Sequence, residues 1–151
     1  MNAKGKRASA PSVITDVATS LRMAGIRQRN TKPEQAVREH LYALGHRYRV
    51  ENRDLPGSPD AANRSRRWAV FVHGCFWHSH TRCPKATVPK RNREFWLEKF
   101  RQNRERDARV VGELEEHGYL VVTVWECETQ DARGLRRRLH SLLRARHPRR
   151  R

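Results

Sequence analysis

The sequence predicts one mixed three-layer α/β domain. Three observations carry that expectation. Helical and strand-like periodicities alternate along the chain in the order α-β-β-α-β-α; the run from Tyr119 to Trp125 is nearly all apolar and β-branched, as in a central strand covered on both faces; and 151 residues bury one core, not two.

Residues 1 to about 18 are polar and small, with no clear period, and read as a flexible basic arm. Leu21, Met23 and Ile26 among Arg22, Arg27 and Arg29 suggest a short basic helix. Thr31-Lys32-Pro33-Glu34 has the form of a capping box, and behind it Ala36, Val37, His40, Leu41 and Leu44 share one helical face that Gly45 closes. Tyr48 and Val50 alternate with Arg49 and Glu51 as a short strand. Leu55 to Asp60 is a Pro-Gly turn ending in an acid, and a strand from Trp68 to His73 follows. Asn92 caps a long helix from Arg93 to about His117, with Phe95, Phe100, Val110, Val111 and Leu114 as its apolar positions and Gly118 as its stop. After the Tyr119–Trp125 strand, Arg133 to Arg146 reads as a basic helix with Leu135, Leu139, Leu142 and Leu143 turned inward. The expected division is a basic N-terminal arm over 1–18, one domain over 19–145 and a basic tail over 146–151.

Thirty-three Lys and Arg oppose 16 acids, a net charge of +17 and a pI near 11.3. That excess favours a polyanionic partner, with nucleic acid first. No run of ~18 apolar residues or amphipathic lipid-binding helix appears, so a membrane partner is not expected. The N-terminus lacks the apolar region of a secretory signal, which places the three cysteines in a reducing compartment and predicts a soluble, cytoplasmic protein. No spare apolar stripe is evident, so a monomer is expected.

Phe71 to Cys83 crowds three histidines, two cysteines and the adjacent aromatics Phe76 and Trp77 into thirteen residues. Cys75, His80, Cys83 and Cys127 make a Cys3His set that uses every cysteine, and thiolate with imidazole suits tetrahedral, structural zinc. Reduced core cysteines beside exposed histidines are the alternative. Asp60 precedes the Trp68–His73 strand, and His73 and His78 flank the strand's far end. If the two segments pair, a carboxylate able to hold Mg2+ meets histidines able to take a proton from water attacking phosphorus. An ordinary turn aspartate is the competing reading.

Six motifs in this order resemble the very short patch repair (Vsr) endonucleases, bacterial DNA mismatch nickases. They are Arg29-Asn30-Thr31-Lys32-Pro33-Glu34, Asp54 to Asp60, Phe71 to His78, Arg93-Glu94-Phe95-Trp96, Asn103 to Asp107 and Val124-Trp125-Glu126-Cys127. The resemblance runs from about Met23 to Glu128, roughly two thirds of the chain. It implies a restriction-endonuclease-like fold, a structural zinc held by Cys75, His80, Cys83 and Cys127, and a Mg2+-dependent nick 5′ to the thymine of a T:G mismatch. By the same resemblance Asp60 and the carbonyl of Val72 hold Mg2+, His78 activates water, and His73 and Glu34 support the site. Glu34 would orient His78 or a water on the metal, with the capping box as its other role. Phe76, Trp77 and Trp96 would wedge into the base stack and Met23 would enter from the opposite groove, with core packing the alternative for Phe76 and Trp96. The implied partners are mismatched duplex DNA and a mismatch-repair protein, and the implied location is the bacterial nucleoid.

The chain departs from the family pattern twice. Ala61 to Arg67 is polar and basic where the family has an apolar strand, which predicts a looser hold on Asp60; the Cys75 to Cys83 spacing is one residue longer. The basic end beyond Gly134 lies outside the resemblance and is expected to add phosphate contacts. Two further readings therefore stand beside the nickase: a mismatch-binding module with weak cleavage, and a nuclease of the same fold with another DNA substrate.

Overall fold

A computed structural model describes residues 29–146. The expected arm, Met23, the basic helix up to Ile26 and the tail beyond Arg146 lie outside these residues. Six elements follow in order: helix α1 (Lys32–Ala43), strands β1 (Ala61–Asn63) and β2 (Trp68–His73), helix α2 (Arg93–Glu116), strand β3 (Leu120–Trp125) and helix α3 (Ala132–Leu143), with 3-10 turns over Glu126–Gln130 and Arg144–Arg146. The sheet order is β1-β2-β3; β1 runs antiparallel to β2 and β3 parallel to it. The sheet is therefore mixed, as expected, but its centre is β2; Leu120–Trp125, expected as the central strand covered on both faces, lies at an edge of the described sheet and is only partly buried.

Period-two alternation on the central strand divides the core into two layers. Trp68 and Val70 join Val122, Val124 and the α1 and α3 residues Val37, Leu41, Leu135, Leu139 and Leu143 on one face, whereas Leu142, expected on the inner side of α3, is exposed. Ala69 and Phe71 meet Leu114 of α2, with Val110 and Val121 packed around them, on the other. The three layers are thus α1 and α3, the sheet, and α2. No helix among the described residues is long and apolar enough to cross a membrane.

The first strand is not where the alternation of Tyr48 and Val50 puts it. That segment contributes a single bridge, Arg49 to Ala62, while the strand itself is Ala61–Asn63. Two alanines show no period, but they are small enough to lie against the sheet on both faces, and both are buried. The basic residues expected to loosen this segment instead form the hairpin turn. Arg64 pairs with Asp54 and reaches Asn52, and Asn52 donates from Nδ2 to the carbonyls of Arg49 (2.8 Å) and Pro59 (3.1 Å). Buried Asn52 thereby fastens the turn that precedes Asp60. Gly57 in that turn has φ +69°, and a Cβ there would lie 2.4 Å from Val110, so only glycine lets the turn close on α2.

Both expected helix stops hold: Gly45 and Gly118 take φ of +80° and +79° just past the ends of α1 and α2. Asn92 stands at the N-cap of α2 but is itself left-handed and makes no side-chain capping bond.

Candidate active site and metal cluster

The parallel ladder ends at His73 opposite Trp125, and the alternation that buries Phe71 against α2 sends His73 to the same face. Beyond the strand the chain turns back, so that the His78 ring lies on that of His73, centroids 3.8 Å apart and 4° from parallel. Asp107, on α2, meets His78 Nδ1 through Oδ2 at 2.5 Å. On the other side of β2, Asp60 Oδ2 accepts the N–H of Val72 at 2.6 Å. In extended backbone the N–H and C=O of one residue point to the same edge. The Val72 carbonyl therefore faces the Asp60 edge, past the last β1–β2 partner pair, Ala61 and Val70. Asp60, Val72, His73, His78 and Asp107 line one cleft of about 590 Å3 that Arg29 and Arg106 also border.

The electrostatics divide the roles. Burial pushes Asp60 up to about 6 in spite of the Val72 N–H, and the nearby charge of Glu34 acts in the same direction. A carboxylate so placed gains from a cation. Burial, then the charge of His78, lowers His73 to about 4, leaving it neutral near pH 7. Burial alone would raise Asp107, but the hydrogen bond and charge of His78 hold it below the usual carboxylate range.

Glu34 has the capping role and a remote one. Thr31 Oγ1 accepts its N–H at 3.4 Å, and its carboxylate takes the Thr31 hydroxyl at 3.1 Å and the Asn30 N–H at 2.8 Å. It touches Asp60 only through its charge. The carboxylate that orients His78 is Asp107, which sequence reasoning quoted in a motif but gave no role. Its signal was present: Phe100, Asn103, Asp107, Val110 and Leu114 follow helical spacing along one face of α2, and the two polar members interrupt an apolar stripe. Buried Asn103 donates from Nδ2 to the Trp77 carbonyl at 2.8 Å.

The aromatic group is both packed and half-exposed. Phe76 meets Trp77, Trp96 and Phe100 at 5.1, 5.3 and 5.3 Å between centroids, and only Phe100 is fully buried. Packing fixes the direction in which the Trp77 and Trp96 rings are offered to solvent.

Next to it, the ligand atoms of Cys75, His80, Cys83 and Cys127 all lie within 4.8 Å of one another, with His80 Nδ1 3.6 Å from Cys75 Sγ and 3.5 Å from Cys127 Sγ. A tetrahedron with Zn–S ≈ 2.3 Å and Zn–N ≈ 2.0 Å has edges of roughly 3.5–3.8 Å, so the donor set and its spacing fit zinc. In the loop between Cys75 and Cys83, Ser79 and Arg82 take positive φ of 49° and 60°. Cys127 reaches the group from the 3-10 turn after β3. That turn is held by Glu128, which accepts the Trp125 N–H at 2.7 Å and the Arg138 guanidinium at 2.9 Å. Trp125 joins the two centres, stacked on His80 at 4.1 Å and edge-on to His73 at 5.4 Å. Trp125 too stood in a quoted motif without a role.

A half-buried carboxylate and a carboxylate-held histidine that line one cleft, at the carboxyl ends of parallel strands in a chain of net charge +17, suit an endonuclease acting on DNA. Comparison with known proteins agrees. The family profile described as DNA mismatch endonuclease Vsr matches residues 12–85. The chain is 44% identical to the type II nicking enzyme V.XorIIP of Xanthomonas oryzae over 80% of its own length and 88% of that protein. It is 42% identical to the type II nicking enzyme V.NmeAIP of Neisseria meningitidis over 87% and 96%. With the DNA mismatch endonuclease Vsr of Escherichia coli the identity is 43% over 76% and 73%. The chain belongs to the Vsr family of DNA mismatch endonucleases.

Proposed function

We propose that this protein nicks one strand of duplex DNA 5′ to the thymine of a T:G mismatch, with Mg2+ at Asp60 and the Val72 carbonyl and structural Zn2+ at Cys75, His80, Cys83 and Cys127, on a restriction-endonuclease-like scaffold. The observation that carries the reading is the placement of Asp60 and the His78–Asp107 pair across one cleft. The names of its relatives, nicking enzymes and a mismatch endonuclease, support strand nicking at mismatched DNA, and the T:G pair is the choice that the motif resemblance implies.

Asp107 holds Nδ1 of His78, which fixes the proton on that nitrogen and leaves Nε2 to take a proton from water. The charge that develops on His78 faces the Asp107 carboxylate on one side and a neutral His73 ring on the other. Asp60, anchored by the Val72 N–H, keeps its remaining lone pairs for a cation. Bound there, Mg2+ supplies positive charge against the phosphate oxygens. Phe76, Trp77 and Trp96 insert beside the mismatch, where unstacking costs less than at a paired step, so the wedge itself discriminates. Neither a mismatch-repair protein partner nor an association with the nucleoid is needed for this chemistry.

The reading is tested with a labelled duplex carrying one T:G pair beside its T:A control. A Mg2+-dependent nick on the thymine strand of the first alone is expected. Binding without cleavage would return the reading to a mismatch-binding module, and equal nicking of both would point to a different DNA substrate.

Two variants probe the roles. Asp107→Asn is expected to slow single-turnover nicking on the order of 10²-fold or more with mismatch affinity unchanged, and adding His78→Ala should cost far less than it does alone. Additive losses would show that the pair does not act as a unit. Trp77→Ala is expected to reduce the ratio of T:G to T:A affinity about tenfold, since stacking on one base is worth ≈ 1–3 kcal/mol; an unchanged ratio in a competition assay would remove Trp77 from the wedge.

A further inference from the structure

The cleft leaves one strongly charged surface unused. Helix α3 turns Leu135, Leu139 and Leu143 into the core, which sends Arg133, Arg136, Arg137, His140 and Arg144 to solvent along the opposite face. The helix contains no acidic residue. The nearest acids are already engaged: Asp131 caps the helix by accepting the Gly134 N–H at 3.0 Å, and Glu128 takes Arg138. Among the described residues, Arg133, Arg136, Arg137 and Arg144 make no ion pair or hydrogen bond through their side chains. Arg101 on α2, by contrast, is bracketed by Glu98 and Glu105. Like charges at three- and four-residue spacing repel one another, so this stripe lowers the stability of its own helix and is neutralised only by an external anion.

The stripe also lies apart from the cleft. No residue of α3 lines it, and α3 packs on the face of the sheet opposite α2, whose Arg106, Asp107 and Val110 form the cleft wall. From Arg133 to Arg144 the helix rises about 16 Å, the axial length of about five base pairs. Its course runs from the 3-10 turn after β3 back to the β1–β2 hairpin, where Arg146 donates to the Arg66 carbonyl at 3.2 Å. Three further arginines follow in the sequence at 149–151.

We propose that the outer face of α3 is a second, sequence-independent binding surface for the phosphate backbone of duplex DNA, which holds a DNA segment other than the one in the cleft. Regularly spaced guanidinium groups without base-reading neighbours match a phosphate row and not a base edge. One protein then contacts two segments at once, which favours transfer between segments over release into solution.

The test compares wild type with the variant carrying Arg133→Gln, Arg136→Gln, Arg137→Gln and Arg144→Gln, exposed positions at which glutamine keeps the helix. With a fully matched duplex and no added Mg2+, the slope of log affinity against log salt is expected to fall by about 3–4 in the variant. Wild type already saturated with a short T:G duplex should take up a second, differently labelled matched duplex, and the variant should not. Nicking of the short T:G duplex at saturating protein should stay within twofold, and the thermal midpoint should not fall. An unchanged salt slope would overturn the proposal and leave the stripe to another polyanion such as an acidic protein. Loss of nicking on the short duplex would overturn it too, by showing that α3 serves the cleft. Because the binding arms use matched DNA, failure of the mismatch reading would leave them intact.

Discussion

Asp60→Asn is expected to abolish nicking, by at least about 10³-fold, and at the same time to make the metal-free protein more stable above neutral pH. The two effects have one cause. Burial raises Asp60 to about 6, against 3.8 for an ordinary aspartate. An acid with a raised native pKa keeps its proton longer in the folded than in the unfolded chain. Its stabilising contribution is complete below 3.8 and is lost as pH rises to about 6. Above that window the ionised carboxylate costs on the order of 3 kcal/mol relative to the protonated one. Asparagine keeps an acceptor for the Val72 N–H and carries no charge. Without Mg2+ at pH 8 the variant should therefore unfold at a higher urea concentration than wild type, whereas near pH 4 the two should coincide.

Mg2+ reverses the order. It competes with the Asp60 proton, so it should stabilise wild type at pH 8, progressively less below pH 6, and leave Asp60→Asn unaffected. Nicking by wild type should rise through the same window. A variant that nicks within tenfold of wild type would remove Asp60 from the cation site, and one that is less stable at pH 8 would show that Asp60 is held by contacts stronger than its burial penalty. Stability given up at a functional carboxylate is the usual sign of a site built for a ligand.

How much of this was legible in the sequence follows from the kind of signal each residue carries. The strands at Trp68–His73 and Leu120–Trp125 and all three helices were readable, because long apolar periods and glycine stops are local properties. Ala61–Asn63 was not: three residues have no period, and their strand character comes from the partner strand they meet. Cys75, His80, Cys83 and Cys127 could be grouped because no other cysteine competes. Asp107 and Asn52 were hidden for the opposite reason, since Asp and Asn are common on helices and in turns and reveal a role only when something buried lies opposite. The polar break in the α2 stripe at Asn103 and Asp107 is the nearest thing to a warning, and it needs the helix phase before it can be heard. Glu34 could be read in two ways; it caps α1 and its charge reaches Asp60, while the carboxylate on His78 is Asp107.

The second large effect is expected on removing zinc. The segment from His78 to Cys83 buries little apolar surface of its own and holds Ser79 and Arg82 at positive φ, so its fixed shape depends on a bond to something rigid. Without a cation, burial keeps the Cys75 thiol up at about 12; zinc takes the thiolate form instead. A site saturated a thousandfold above its Kd contributes about 4 kcal/mol, which for a chain of this size is about 8–16 °C in thermal midpoint. Cys127→Ser, or exhaustive chelation followed by Mg2+ repletion, is expected to lower the midpoint by that amount. Nicking should fall further than stability does. His78 lies on the same loop, between Cys75 and His80 of the proposed zinc site, and Trp125 stacks on His80 while it borders His73, so freeing the loop should move the histidine away from Asp107. Amide exchange should locate the difference: faster in 74–83 and 125–130, unchanged in the buried turns of α1 and in Trp68–Val70 of β2, which pack in the core away from the cluster. Purified protein without stoichiometric zinc, or a Cys127→Ser variant with an unchanged midpoint, would make the four residues a reduced thiol cluster and leave the loop to be held by Asn103 and the aromatic group alone.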